Sequence, residues 1–250
     1  MGNEADDLIT LSTHLGREDR RLAILGEGNT SVRVDTDTFL IKASGSSLST
    51  LSRADVTECR FAPLLELHDR PGASDEDVAA ALRASRVEPA AKRPSTEAFF
   101  HAYLLSLPGV GWVAHTHPVA VNGILCSPRA SDFAGRRMYP DEIVCCGPRS
   151  AIVPYVDPGL PLSLAIREVV ETFRSEADAV PRVILLTNHG LITPAATAAG
   201  AMAATLMSVK AAEIFTLAAS HGGPTFLTDD AVRRIEGRED EAYRRRQLKL

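Results

Sequence analysis

Short runs of strand character alternate with stretches of helical periodicity along all 250 residues, and no linker-like segment separates them. That alternation confines the chain to the α/β or α+β classes. The spacing of Leu8, Leu11 and Leu15 predicts a helix over 8–21, followed by a loop at 25–30. Strands are expected at 31–34 and 38–42, the second ending in the turn-forming run Ala43-Ser44-Gly45-Ser46-Ser47. Residues 69–93, rich in Ala, Pro, Arg and Asp, read as a surface excursion with a helix near 75–85. A helix opening at Ser95 stops at Pro108-Gly109, and a buried strand at 111–117 stops at Pro118. Further strands are expected at 143–146, 152–155 and 183–187, with helices at 162–174 and about 195–219. A charged tail occupies 233–250, and the whole of 1–250 reads as one domain.

The formal charge is −5, from 27 basic and 32 acidic residues. A nucleic-acid-binding module normally carries a basic face, so that class is set aside. Cys59, Cys126, Cys145 and Cys146 form no C-x-x-C pair, and adjacent Cys145 and Cys146 suit buried small hydrophobes better than a disulfide framework or a thiolate metal site, which points to a reducing compartment. The acidic opening MGNEADD lacks an apolar core and is not a secretory signal, and Asp6 stands where myristoylation wants Ser or Thr. The apolar stretch 195–207 contains Gly200 and falls short of the roughly 20 residues of a membrane span. The expectation is a soluble, cytoplasmic protein with no membrane or nucleic-acid partner.

Of seven histidines, His14, His68 and His221 lie in expected surface segments and read as solvated. His115 and His117 are two apart on an expected strand and project from one face. His189 follows another buried strand, where Gly190 permits a sharp exit and where ligand sites gather in α/β folds. If the two strands face each other, three imidazoles offer a metal pocket with an open position, the catalytic pattern for zinc. His-x-His alone fits a pair of hydrogen-bonded core histidines equally well.

Glu97 falls in the first turn of the helix opening at Pro94-Ser95-Thr96. The helix dipole and a nearby cation favour its carboxylate, while burial favours the acid. Beside a metal it can act as general base and then general acid. His101, one turn on, either supports Glu97 or packs under it. Gly26-Glu27-Gly28-Asn29-Thr30-Ser31 has Ser31 where a dinucleotide fingerprint needs its third glycine, and no P-loop motif occurs. The loop amides, with Asn29, Thr30, Ser44, Ser46 and Ser95, can still cradle an anion, and Lys42 can supply local positive charge.

Taken in order, Gly28-Asn29-Thr30-Ser31-Val32-Arg33, Lys42-Ala43-Ser44-Gly45, Pro94-Ser95-Thr96-Glu97 with His101, His115-Thr116-His117-Pro118 and Asn188-His189-Gly190 resemble the class II aldolase/adducin family. The resemblance implies a three-layer α/β/α domain with a largely antiparallel central sheet, assembled as a homotetramer with sites between subunits. It implies that His115, His117 and His189 bind Zn2+, with Mn2+ or Co2+ as alternatives. It also implies that Glu97 is the acid/base and that Asn29, Thr30, Lys42, Ser44, Gly45, Ser95 and Thr96 serve the phosphate. The aldolases also use tyrosines for protonation and aldehyde recognition, and the resemblance implies Tyr139, in a broadly corresponding loop, as a second catalytic residue, with Tyr243 in the tail as a further parallel. The implied reaction is aldol cleavage or formation in a small ketose phosphate or sugar-acid phosphate through a zinc-stabilised enediolate. Decarboxylation of a sugar-acid phosphate and dehydration of a methylthioribulose-phosphate type are the alternatives on the same site. Glutamate at position 97 disfavours the epimerases, which resemble this chain but carry a metal-binding aspartate there. The opening motifs also resemble the aldolase half of bifunctional aldolase/dehydrogenases, without a dehydrogenase half among these residues. An adducin-like, non-catalytic module is disfavoured by retention of all three histidines and Glu97. The excursion 69–93 is longer than in the simple aldolases and is expected to reshape the entrance.

Overall fold

Strand β1 (Asn29–Arg33) shows how the molecule is layered. Its alternate side chains face opposite ways. Asn29 and Ser31 meet helix α4 (Ala98–Ser106) or its cap, whereas Thr30 and Val32 meet helix α1 (Asn3–Leu15). The computed structural model describes residues 3–70 and 72–247. Around β1 runs a seven-stranded sheet that adds β2 (Thr38–Lys42), β3 (Val56–Arg60), β4 (Trp112–Thr116), β5 (Ala151–Val153), β6 (Ile184–Leu186) and β7 (Gly190–Ala195). The order is β3-β2-β1-β4-β7-β6-β5. Every neighbouring pair is antiparallel except β5–β6. That parallel pair needs a long crossover, supplied by α8 (Leu160–Ala177).

One face of the sheet packs Phe39, Ile41, Val113 and Ile192 against α2 (Ala62–His68), α3 (Asp75–Ser85), α4 and α8. The other packs Leu185 and Leu191 against α5 (Val119–Leu125), α6 (Ala130–Gly135), α7 (Pro140–Cys146) and α9 (Ala198–Ala219). This is the three-layer α/β/α arrangement with a largely antiparallel sheet. Helix α9 is long and apolar enough by length and composition to span a membrane, and longer than the stretch marked in the sequence. Here it lies along β4, β7, α1, α5 and α7, with Ala201, Ala204, Ala211 and Ala212 buried.

Three expectations are corrected and one strand is added. Residues 143–146 are the end of helix α7, not a strand. Pro140 in the first turn, followed by Asp141 and Glu142, is a helix-start signal that outweighs the β-branched Ile143-Val144 pair. Strand β7 had no reading of its own, because Pro194 interrupts its pattern. Pro194 pairs with Val113 of β4 but lies beyond the residues that pair with β6, where a missing N–H costs nothing. The charged tail is two helices, α10 (Asp229–Glu236) and α11 (Glu239–Gln247), both against α7; its last three residues lie outside the described ones. His68 is buried rather than solvated, its Nε2 beside Ser163 Oγ at 2.8 Å.

Candidate metal centre

Antiparallel pairing sets β4 between β1 and β7, with His115 opposite Asn29 on one side and Ile192 on the other. The His115 ring has no exposed surface, and its Nδ1–H donates to the Leu191 carbonyl at 3.0 Å. That bond turns the Nε2 lone pair towards the strand ends. His117, just past β4, brings its Nε2 to 3.0 Å from His115 Nε2. His189 sits in the tight turn between β6 and β7, where Asn188 adopts φ 57° and Asn122 Nδ2 donates to the His189 carbonyl at 2.9 Å. Each of the three rings offers a ligand nitrogen within 4.8 Å of those of the other two.

Two glycines make this approach possible. A Cβ on Gly190 would sit 2.6 Å from the Thr116 carbonyl and 2.8 Å from the His117 ring. One on Gly28, which has φ +66°, would sit 2.6 Å from the His115 carbonyl. Burial lowers the pKa of His115 to about 3 and of His117 to about 4, and lowers that of His189. At neutral pH the cluster is therefore three uncharged imidazoles with converging lone pairs. That donor set fits a divalent cation such as zinc.

Glu97 occupies the N-cap position of α4 without bonding the helix amides, and its carboxylate faces the cluster. Its Oε1 is 3.6 Å from His115 Nε2 and 3.6 Å from His189 Nε2. Its Oε2 accepts from Asn29 Nδ2 at 2.5 Å. Ser95 Oγ accepts from the Glu97 backbone N–H at 3.2 Å and lies 3.5 Å from Asn29 Nδ2. An Ala43–Pro94 bridge and a bond from Ser44 N–H to the Arg93 carbonyl join the 44–46 turn to the 93–97 segment. Asn29, Ser95 and Glu97 are thus brought together, with exposed Ser44, Gly45 and Thr96 on the adjoining backbone.

Two expected anion ligands are placed differently. Thr30 points through the opposite face of the sheet, fully buried, with its hydroxyl 2.5 Å from Ser12 Oγ; strand alternation requires this once Asn29 faces the site. Lys42 is also buried, and its ammonium donates to the Gly26 carbonyl at 3.2 Å and the Ser46 carbonyl at 2.5 Å. Burial lowers its pKa, opposed by Glu97 and Asp55. It ties two loops together rather than standing free. Tyr139 donates its hydroxyl to Met207 and packs with the α5–α9 layer, and Tyr243 is exposed on α11.

Sequence reading missed Glu27, Asn122 and Ser31. Glu27 Oε1 is 3.8 Å from His117 Nδ1. Ser31 Oγ is 2.6 Å from His101 Nδ1. For Ser31 the signal was present, since it shares the strand parity of Asn29. Asn122 carries no such signal, because only the packing of α5 against the β6–β7 turn brings it to His189. A cleft of about 880 Å³ opens at His117 between Glu27, Arg21, Leu25, Val119 and Asn122. A second cavity, about 860 Å³, lies between the 69–79 excursion and residues 157–164, with Arg93 and Thr96 in its wall.

A family model described as the class II aldolase and adducin N-terminal domain matches residues 6–216. The uncharacterized oxidoreductase YuxG of Bacillus subtilis is 28% identical over 216 residues, covering 83% of this chain and 29% of that protein. This chain therefore spans under a third of that relative's length. The N-terminal class II aldolase domain of a conserved protein from Thermoplasma acidophilum superposes with a TM-score of 0.69 at 28% identity, over 86% of this chain and 95% of that one. An L-fuculose 1-phosphate aldolase superposes with a TM-score of 0.71 at 18% identity, over 94% and 95%, a likeness of fold. Every residue of the histidine pocket lies inside the matched span, and the chain belongs to the class II aldolase and adducin family.

Proposed function

We propose that this chain is a metal-dependent aldehyde-lyase that cleaves or forms a C–C bond in a small ketose phosphate or sugar-acid phosphate. The supporting observation is the split environment of Glu97: one carboxylate oxygen faces two histidine nitrogens at 3.6 Å, and the other is held by Asn29 at 2.5 Å. A carboxylate tethered by one oxygen and free at the other is a general acid/base with a fixed direction of proton delivery. His115, His117 and His189 would hold the cation, zinc or another divalent ion, and a Lewis acid there offsets the negative charge that develops on substrate oxygens. Glu97 Oε1 gives a proton to the carbon that loses the bond and takes one from it in the reverse direction. Ser95 and the backbone around Ser44, Gly45 and Thr96 receive the phosphate.

Ile24, Leu25 and Val119, apolar and exposed at the rim of the cleft, support a homotetramer in which a neighbouring copy covers that rim. The four thiols, free of disulfides, support action in the cytoplasm.

The test is proton NMR of dihydroxyacetone phosphate in heavy water with zinc-loaded protein and a chelated control. Metal-dependent, stereospecific loss of one hydroxymethyl proton is expected. No exchange with zinc bound would reject this donor and turn the assignment to decarboxylation, dehydration or another ketose donor.

A further inference from the structure

His101 has no direct part in the reaction above, yet it has no exposed surface and both of its ring nitrogens are engaged. Nδ1 lies 2.6 Å from Ser31 Oγ, and Nε2 meets Asn29 Oδ1. Burial, with His115 nearby, pushes its pKa well down, so the ring is neutral and carries one proton. An amide oxygen only accepts hydrogen bonds. The proton is therefore on Nε2, donated to Asn29 Oδ1, and Nδ1 accepts from the Ser31 hydroxyl. With Oδ1 so occupied, Asn29 presents Nδ2 to Glu97 Oε2. The reverse arrangement turns the Asn29 amide over and sets its oxygen against a carboxylate, which is tolerable only while Glu97 keeps a proton on Oε2. The His101 tautomer, the Asn29 orientation and the oxygen of Glu97 that carries the mobile proton are one linked choice.

The elements that carry these groups match in length. Ser31 and Asn29 are two apart on β1, a rise of about 6.6 Å. His101 and Glu97 are four apart along the start of α4, a rise of about 6 Å. Strand and helix therefore interlock without distorting either. Phe100 closes the assembly, its ring edge-on to His115 and stacked against His101.

We propose that His101 is a positioning residue: through its Nε2–H it fixes the Asn29 amide, pins Glu97 Oε2 as an acceptor, and leaves Oε1 as the oxygen that exchanges a proton with substrate. The proposal rests on the acid/base reading of Glu97 given above.

The experiment uses the full chain labelled with 15N-histidine, assigned by loss of one ring signal in His101→Gln. In metal-free wild type at neutral pH the expected His101 ring carries its proton on Nε2, and Ser31→Ala gives a mixture of tautomers. With zinc and dihydroxyacetone phosphate as the probe, His101→Leu is expected to lower kcat for solvent exchange about 10–100-fold, the range for partners that orient a site. KM and zinc content stay within about twofold of wild type. His101→Gln, which keeps an N–H at comparable reach, recovers most of the rate. An Nδ1–H tautomer in wild type, or wild-type kcat in His101→Leu, overturns the proposal. If His101→Leu does not fold, the Ser31→Ala tautomer shift and the His101→Gln rate carry the decision. Failure of the acid/base reading looks different: Glu97→Gln then exchanges at the wild-type rate while the His101 tautomer is unchanged.

Discussion

At the scale of single residues, the proposed roles separate metal holding from proton transfer, and variants should separate them too. His189→Ala removes one of three imidazoles and is expected to lose bound zinc, read by metal analysis, together with activity. Glu97→Gln keeps the three nitrogens and should retain zinc while kcat falls about 100-fold or more, within the range for removing a general acid/base. Zinc retained at full occupancy in His189→Ala would reject the ligand assignment. His68 makes a prediction about stability. Burial, reinforced by Arg167 and opposed by Asp69, lowers its pKa to about 4 from an ordinary 6.5. The unfolded chain therefore binds this proton more readily than the folded one. The contribution is complete above about pH 6.5 and is lost as pH falls towards about 4. Thermal melts across that window should show a shallower acid limb in His68→Gln than in wild type.

At the scale of elements, the tightest joint is the β6–β7 turn, where Gly190 passes between the Thr116 carbonyl and the His117 ring. Gly190→Ala forces β4 and β7 apart and is expected to cost about 1–3 kcal/mol in denaturant unfolding, with weaker zinc binding. A variant with wild-type stability and metal affinity would show that the joint is slack. This joint also marks where the sequence was legible. His115 and His117 followed from strand parity, and His189 from a buried strand ending in a glycine. Glu97 was legible as an acid at the start of a helix. Tertiary pairing was not: nothing local states that β7 returns beside β4, or that α5 brings Asn122 beneath His189. Thr30 departs from expectation because a loop, the sequence-based assignment for 25–30, carries no parity. Once Asn29–Arg33 is a strand, Thr30 must face α1. Residues 143–146 were misread because branched apolar residues suit both element types, and the decisive signal lay upstream at Pro140.

At the scale of the whole molecule, the cleft at His117 is bordered by apolar surface that a lone protomer leaves in water, with Leu25 83% exposed and Ile24 64% exposed. In the homotetramer proposed above, that rim is the surface a neighbouring copy covers. Leu25→Asp is expected to shift the protein to a smaller species in sedimentation or size-exclusion measurements without changing zinc content. An unchanged assembly would place the contact elsewhere. The bond pattern of Lys42 has a dynamic consequence. One ammonium grips a carbonyl from each of two loops that lie 16 and 4 positions away in the chain. Neither loop can lift without breaking that grip, and so the two should breathe as a single cooperative unit. Amide hydrogen exchange at Glu27 and Ser46 is then expected to share one opening rate, and Lys42→Met should split it into two.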